Sequence, residues 1–236
     1  MSQGQGMAQE PALQGLDTQE LIERGLQRLF VLKVGDTFLV ADIYGDVMGA
    51  ADGLFVNDTR VVSTFRLRYG GRRPSLLSGG VSQDNVFFTA HMTNQPLPPL
   101  GDAATPEGVV HVERERLLWC GRIFERISLF NYGRAPVKAP LTIHFGADFR
   151  DMFEVRGKQR SQRGVAQPTV VEERAAQLSY EGLDKVLRTV SIAFSERPVR
   201  LDESEARTAR SISCSGRSTG PSVGRAVSEG MCAEAR

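Results

Sequence analysis

The sequence has 236 residues, 41% of them hydrophobic and 24% charged, which is the composition of a globular protein with enough apolar residues for a core. A net charge of +1 excludes the whole-chain field that draws proteins to nucleic acid or anionic membranes. Three widely spaced cysteines, Cys120, Cys214 and Cys232, exclude a disulfide framework, and no apolar run approaches the roughly 20 residues needed to span a bilayer.

Residues 1–16 are polar and glycine-rich and are expected to be disordered. They lack the basic start and apolar centre of a signal peptide, so a cytoplasmic location is the expectation, and the "NDT" sequon at Asn57 carries little weight. A short helix is predicted over residues 17–28, with Asp17 as its cap and Glu20 as the reciprocal partner. From Leu29 the period changes to two. "LFVLKVGDTFLVAD" reads as a hairpin turning at Gly35-Asp36, and "DIYGDVMGAADG" reads as a loop. "TRVVSTFRLRYGGRRPSLLS" reads as strand, turn, strand. Val61, Phe65, Leu67 and Tyr69 share one face of its first strand, and Arg60, Arg66 and Arg68 share the other. "NVFFTAHMT" is a further strand, and "NQPLPPLGDAATPEG" holds too many prolines for a ladder.

A long ribbon follows in "GVVHVERERLLW", "GRIFERISLFNYG" and "APVKAPLTIHFGADF", and "PTVVEERAAQLSYEGLDKVLRTVSIAF" supplies more strands. About a dozen strands with almost no helix predict an all-β domain over residues 17–200, built as an antiparallel two-sheet β-sandwich. Residues 201–236 lose the apolar alternation. Two accounts stand side by side: a disordered tail, or a chain that has left its reading frame near residue 205.

The chain has no phosphate-binding loop, dinucleotide fingerprint or nucleophile elbow. His91, His111 and His144 complete no metal motif, so neither a metal nor a cofactor is expected. The basic run Arg156, Lys158, Arg160 and Arg163 lacks interleaved aromatics and reads as a solvated hairpin tip, not a nucleic-acid contact. Glu125 shares a face with Ile123, Ile127 and Leu129. A carboxylate there needs a partner, and an ion pair with an arginine of a neighbouring strand competes with a role as general acid.

"FGADFRDMFEVRG", residues 145–157, raises the same choice for Asp148, Asp151 and Glu154. The strand alternation runs to Phe149 and then fails, which predicts a turn or a single helical turn in which Phe149 and Phe153 pack together. The three carboxylates then reach backbone N–H groups or arginines. Glycosidase pairs flank a sugar at about 5–5.5 Å or 6.5–9.5 Å, whereas carboxylates on one short turn lie on one side of it. A charged structural corner is therefore expected.

Five stretches, "LFVLKVGDTFLVAD", "GLFVNDTRVVSTFRL", "LLWCGRIFERISLFNYG", "ADFRDMFEVRG" and "YEGLDKVLRTVSIAF", together resemble the N-terminal domain of bacterial and archaeal glycogen debranching enzyme-like proteins, the amylo-α-1,6-glucosidase family. The resemblance runs from Leu29 to Phe194, and "GLFVNDTR" and "ADFRDMFEVRG" are its most specific parts. It implies a supersandwich-like domain set before an (α/α)₆-barrel that carries the catalytic carboxylates and cleaves α-1,6-glucosidic bonds. No catalytic residue carries over to this chain. The resemblance further implies a truncated or frame-disrupted member with its last sandwich strands missing, or a separately encoded domain. The expected partners are an α-glucan and a barrel, in cis or as another chain. Asp58 is expected to turn the chain in "GLFVNDTR". Tyr44, Phe55, Arg60 and Trp119 are candidate contacts to sugar or barrel, with ordinary packing as the competing account. A stand-alone carbohydrate-binding module is the alternative to an accessory domain.

Overall fold

The structure, a computed structural model, describes residues 29–96, 105–212 and 224–235. The expectations for residues 1–16 and 17–28 fall outside them. No helix among the described residues is long and apolar enough to cross a membrane.

The chain opens with a four-strand meander: β1 (Phe30–Val34), β2 (Thr37–Ala41), β3 (Gly53–Val56) and β4 (Thr59–Val62). Two tight turns hold it. The first places Gly35 at φ +59°, a conformation that glycine adopts freely. The second places Asn57 and Asp58 at φ +46° and +61°, so both central residues are left-handed, as in a type I′ hairpin turn. β5 (Thr64–Tyr69) follows, then the antiparallel run β6 (Ser75–Val81), β7 (Phe87–Thr93), β8 (Val110–Trp119) and β9 (Arg122–Asn131). After β10 (Val137–Gly146) comes one helical turn, α1 (Met152–Val155). β11 (Val165–Ala166), β12 (Val170–Val171), β13 (Ala175–Glu181) and β14 (Leu187–Phe194) precede β15 (Arg200–Leu201), β16 (Glu205–Ile212) and β17 (Gly224–Ala235).

The all-β expectation holds, but the two-sheet sandwich does not. The described strands divide among three hydrogen-bonded sheets: the meander, a second sheet ordered β15-β16-β10-β5, and a third ordered β11-β13-β14-β17-β9-β8-β7-β6 with β12 beside β13. The cause lies at Ser63. "TRVVSTFRLRY" keeps one alternation, yet β4 pairs with β3 while β5 pairs with β10. At the break Ser63 N donates to Gly146 O (2.8 Å), and Val47, from the loop after β2, bridges Phe65. Periodicity records which face a residue presents, not when the chain changes partner.

One contiguous cluster joins the sheets. Leu39 and Leu54 enter it from the first, Leu67 and Phe145 from the second, Val112 and Leu129 from the third. It also receives Ala206 and Ile212, both of β16. The strands therefore continue past Arg200, where the sequence places a tail. β16 lies antiparallel to β10 from Val137↔Ile212 to His144↔Glu205, and β17 lies between β14 and β9. The inward positions of β16 include the small Ala206, which leaves little apolar signal in "EARTARSI". Residues 213–223 and 236 are not among those described.

Deleting the chain after Arg200 removes a neighbour of β10 and a neighbour of β9. The shortened protein is expected to melt well below the full chain and to aggregate through its unpaired edges. An unchanged melting temperature with no aggregation would show that β16 and β17 are dispensable.

Candidate functional site

A chain of charged side chains runs through the interior beside the apolar cluster and touches all three sheets. Asp42 and Asp46 leave the end of β2 in a tight turn, in which Asp42 Oδ1 accepts from the N–H groups of Tyr44 (2.9 Å) and Asp46 (2.8 Å). Asp46, 1% exposed, then takes Leu67 N (3.0 Å) and Arg68 Nη1 (3.1 Å) from β5 and Arg114 Nη1 (2.7 Å) from β8. Arg114 Nε donates to Glu125 Oε1 on β9 at 3.0 Å, and Arg116 donates to the other oxygen of that carboxylate. Arg73 binds Asp42 and lies 3.7 Å from the Tyr44 ring centre. Burial pushes the Asp46 carboxyl up, but Arg114, Arg73 and Arg68 together outweigh it and hold it below its ordinary value. Asp42 goes the other way: burial and the neighbouring Asp46 charge raise it despite Arg73. Burial, with Arg114 adding to it, lowers Arg116. The Arg114 and Arg116 guanidinium carbons stand 5.6 and 5.0 Å from the centre of the Phe65 ring, an aromatic partner for two cations.

A second constellation joins the two motifs that carry the family resemblance. Arg60 of "GLFVNDTR" is buried. Its guanidinium donates to Ala50 O (2.6 Å), to Asp52 O (3.1 Å) and to both oxygens of Asp148 in "ADFRDMFEVRG". The backbones also meet: Arg60 N donates to Arg150 O (2.7 Å), and Met152 N donates to Asp58 O (3.0 Å). Asp151 caps α1 through Phe153 N and Glu154 N, both 2.9 Å, and Glu154 returns the contact to Asp151 N at 3.1 Å, which completes a capping box. Arg160 pairs with Asp151, and Arg163 pairs with Glu154 at 3.0 Å and donates to Asp148 O at 2.8 Å. Half of the expected solvated tip thus folds back onto the corner. Burial raises the Asp151 carboxyl, but the Glu154 N–H, Arg160 and the Phe153 N–H together outweigh it and lower it. The expected Phe149–Phe153 contact is absent. Phe149, left-handed at φ +49°, stacks on Tyr180 with ring centres 5.6 Å apart, while Phe153 is exposed beneath Lys158.

Three hairpin tips gather beside this corner. Asn57 N donates to Asp36 O (3.3 Å), which ties the β3–β4 turn to the β1–β2 turn. The β8–β9 turn approaches Thr37, where a Cβ on Gly121 would stand 4.0 Å from Thr37 Oγ1. Between the first two tips lies an open groove of about 320 Å³, lined by Lys33, Gly35, Asp36, Phe38, Asn57 and Asp58. The Phe38 ring is fixed from behind by Phe55, stacked at 4.7 Å.

The four candidate contacts therefore separate. Phe55 and Arg60 are buried and serve packing and hydrogen bonding, and Tyr44 is covered by Arg73; Trp119, 59% exposed, is open to solvent. Asp58 stands on the groove, Glu125 in the interior, and Asp148, Asp151 and Glu154 in the corner. Lys33, Asp36, Phe38 and Asn57 escape sequence reasoning as site residues. Each is an ordinary strand or turn residue, and the two tips come together only through the pairing of β2 with β3, which ends at Thr37↔Val56 and is extended by the hydrogen bond from Asn57 to Asp36.

Replacing Glu125 by Gln strips the charge that two buried arginines share, and is expected to cost about 3–5 kcal/mol in urea unfolding. Asp151→Ala, which removes only the cap and an exposed ion pair, is expected to cost about 1 kcal/mol. Equal losses would contradict this ranking. Because the Asp46 carboxyl lies below its ordinary 3.8 in the folded protein, its ionised form contributes stability above that value and loses it as the pH falls through the lowered one. Asp46→Asn is expected to be less stable at neutral pH and to lose less of what remains on acidification below about pH 4. An acid slope unchanged from the parent would remove Asp46 as a source of that dependence.

Comparison with curated proteins finds none that matches. A family model described as the N-terminal domain of (some) glycogen debranching enzymes matches residues 32–217. That span begins within β1, holds the other three strands of the meander, the charged interior, the corner and the groove, and runs past Arg200 through β16. The chain belongs to the family of N-terminal domains of glycogen debranching enzymes.

Proposed function

We propose that this chain is an accessory domain of a debranching-type glycoside hydrolase that acts on α-1,6-glucosidic bonds of a glycogen-like α-glucan, and that it performs no bond cleavage itself. The observation that carries the reading is the engagement of the carboxylates of the interior and of the corner. A glycosidase acid–base pair needs two carboxyl groups facing each other across a sugar. Asp148 is committed to Arg60, Asp151 to two backbone N–H groups, Glu154 to Asp151 N and Arg163, and Glu125 to Arg114 and Arg116. Asp42, the carboxyl raised by burial, is closed off in the interior beneath Arg73. Catalysis on this reading belongs to an (α/α)₆-barrel in the same chain or another.

The corner and the three tips offer a surface for that barrel or for the glucan. The exposed Cys120 beside Trp119 suits a reducing compartment, which agrees with a cytoplasmic setting. A stand-alone carbohydrate-binding module is the second reading, and the groove between the tips favours it to the extent that it binds saccharide unaided.

The purified chain is expected to release no reducing sugar from glycogen, limit dextrin or pullulan, and to change the KM of a debranching barrel supplied in trans. Turnover by the chain alone that disappears on mutating one of its own carboxylates would overturn the accessory reading.

A further inference from the structure

We infer that the groove between the β1–β2 and β3–β4 tips is a binding subsite for a neutral saccharide of one or two pyranose rings. The inference rests on the accessory reading for the identity of the sugar, but not for the existence of the site. Its volume of about 320 Å³ stands at the small end of the range of about 300–1,000 Å³ for ligand sites, enough for a short oligosaccharide end and not for a folded partner. Its chemistry suits a polyol. Phe38 supplies an apolar surface for ring C–H groups, and Phe55, stacked behind it, fixes that ring. Around it stand an ammonium, an amide and two carboxylates, from Lys33, Asn57, Asp36 and Asp58. The side chains of these four take no hydrogen bond or ion pair among the described residues. Elsewhere at this end of the molecule, charged side chains are tied to one another, as Arg60 is to Asp148 and Arg163 to Glu154. The groove keeps a donor and its acceptors apart, which leaves both available to hydroxyl groups, each of which donates and accepts.

The charge balance narrows the class. Lys33 against Asp36 and Asp58 leaves one net negative charge, which disfavours phosphates and acidic sugars. The described residues hold no group of three or more metal-ligating side chains, and Lys33 opposes a cation. The turn itself is costly for what it does. Asp58 adopts φ +61° at a position where glycine is preferred in a type I′ turn, so the carboxylate is kept where the backbone alone would favour its removal.

The test is calorimetric titration of the full chain with maltotetraose and, separately, cellotetraose, on the parent and on Asp58→Gly and Asp36→Asn. Asp58→Gly keeps the turn and is expected to melt no lower than the parent, so lost binding in it is not lost fold. Asp36→Asn keeps the shape of the other acceptor. The expected result is millimolar binding of maltotetraose that weakens about tenfold in each variant, the size of one hydrogen bond to a charged group. Parent-like binding in both variants, or no binding of either sugar by the parent, would overturn the subsite and leave the accessory reading standing. Binding of cellotetraose but not maltotetraose, weakened by the same variants, would uphold the subsite and sink the α-glucan reading instead.

Discussion

Asp46 is the constraint on which the three sheets depend. It leaves the end of the first sheet, takes Leu67 N and Arg68 from the second, and takes Arg114 from the third. A carboxylate with no solvent must find its full complement of donors or give up its charge. Here the donors come from three places in the fold, so the charge is satisfied only when all three are in position. Apolar packing alone would tolerate small slips of one sheet against another, because dispersion is non-directional. The Asp46–Arg114–Glu125–Arg116 chain has angles and distances to meet. Such a network need not add stability over a well-packed apolar core, but breaking one of its members leaves the others unpaired in the interior.

Part of this was legible in the sequence. Alternation gave the strands of the long β8–β9–β10 ribbon, and the position of Glu125 on the apolar face of β9 marked it as a carboxylate in need of partners. The failure of alternation after Phe149 marked the corner. What could not be read is where strands exchange neighbours. Ser63 and its flanks look like the middle of a strand, yet they are the seam between two sheets. Arg114 and Arg116 share the face of Val110, Val112 and Leu118, while Glu113 and Glu115 lie on the half-buried face. Parity with those apolar neighbours turns the two arginines inward, but the run gives no hint of the carboxylates that meet them, Asp46 and Glu125, which come from other parts of the chain. β16 was hidden for another reason, since alanine at an inward position carries almost no hydropathic contrast.

The two motifs most specific to the family make sense once their contact is seen. "GLFVNDTR" and "ADFRDMFEVRG" lie far apart in sequence, and neither contains a complete constellation. Arg60 brings five N–H donors in a planar fork, of which Asp148 takes two atoms' worth and the Ala50 and Asp52 carbonyls take more. Gly53 is part of the same fitting. A Cβ there would stand 2.4 Å from Arg60 Cδ and 2.9 Å from Val62 O, so the strand can pass the buried guanidinium stem only with a glycine. Glycine, arginine and aspartate are therefore fixed together by geometry, and Asp148, Asp151 and Glu154 are each held by an arginine or by backbone N–H groups.

That assignment bears on where such a domain can act. Interior charges and a capped corner hold the hairpin tips in place from behind: Met152 N fixes Asp58 O, Asn57 N fixes Asp36 O, and the β8–β9 turn lies against Thr37. Two-residue turns leave little freedom, and a tip anchored by its neighbours can present a polar side chain without the ordering cost that a flexible loop incurs on binding. The outer face of the third sheet offers a poorer surface for recognising sugar. Its middle rows are occupied by Glu115 paired with Arg126 and by His91 near Glu113, and its exposed Phe87 and Phe124 sit at one end. Trp119 stands at that same end, next to the Cys120-Gly121 turn, and so links the aromatic end of the sheet to the tips. At the edge where the hairpins meet, rigidity, uncommitted polar groups and open aromatic surface thus coincide.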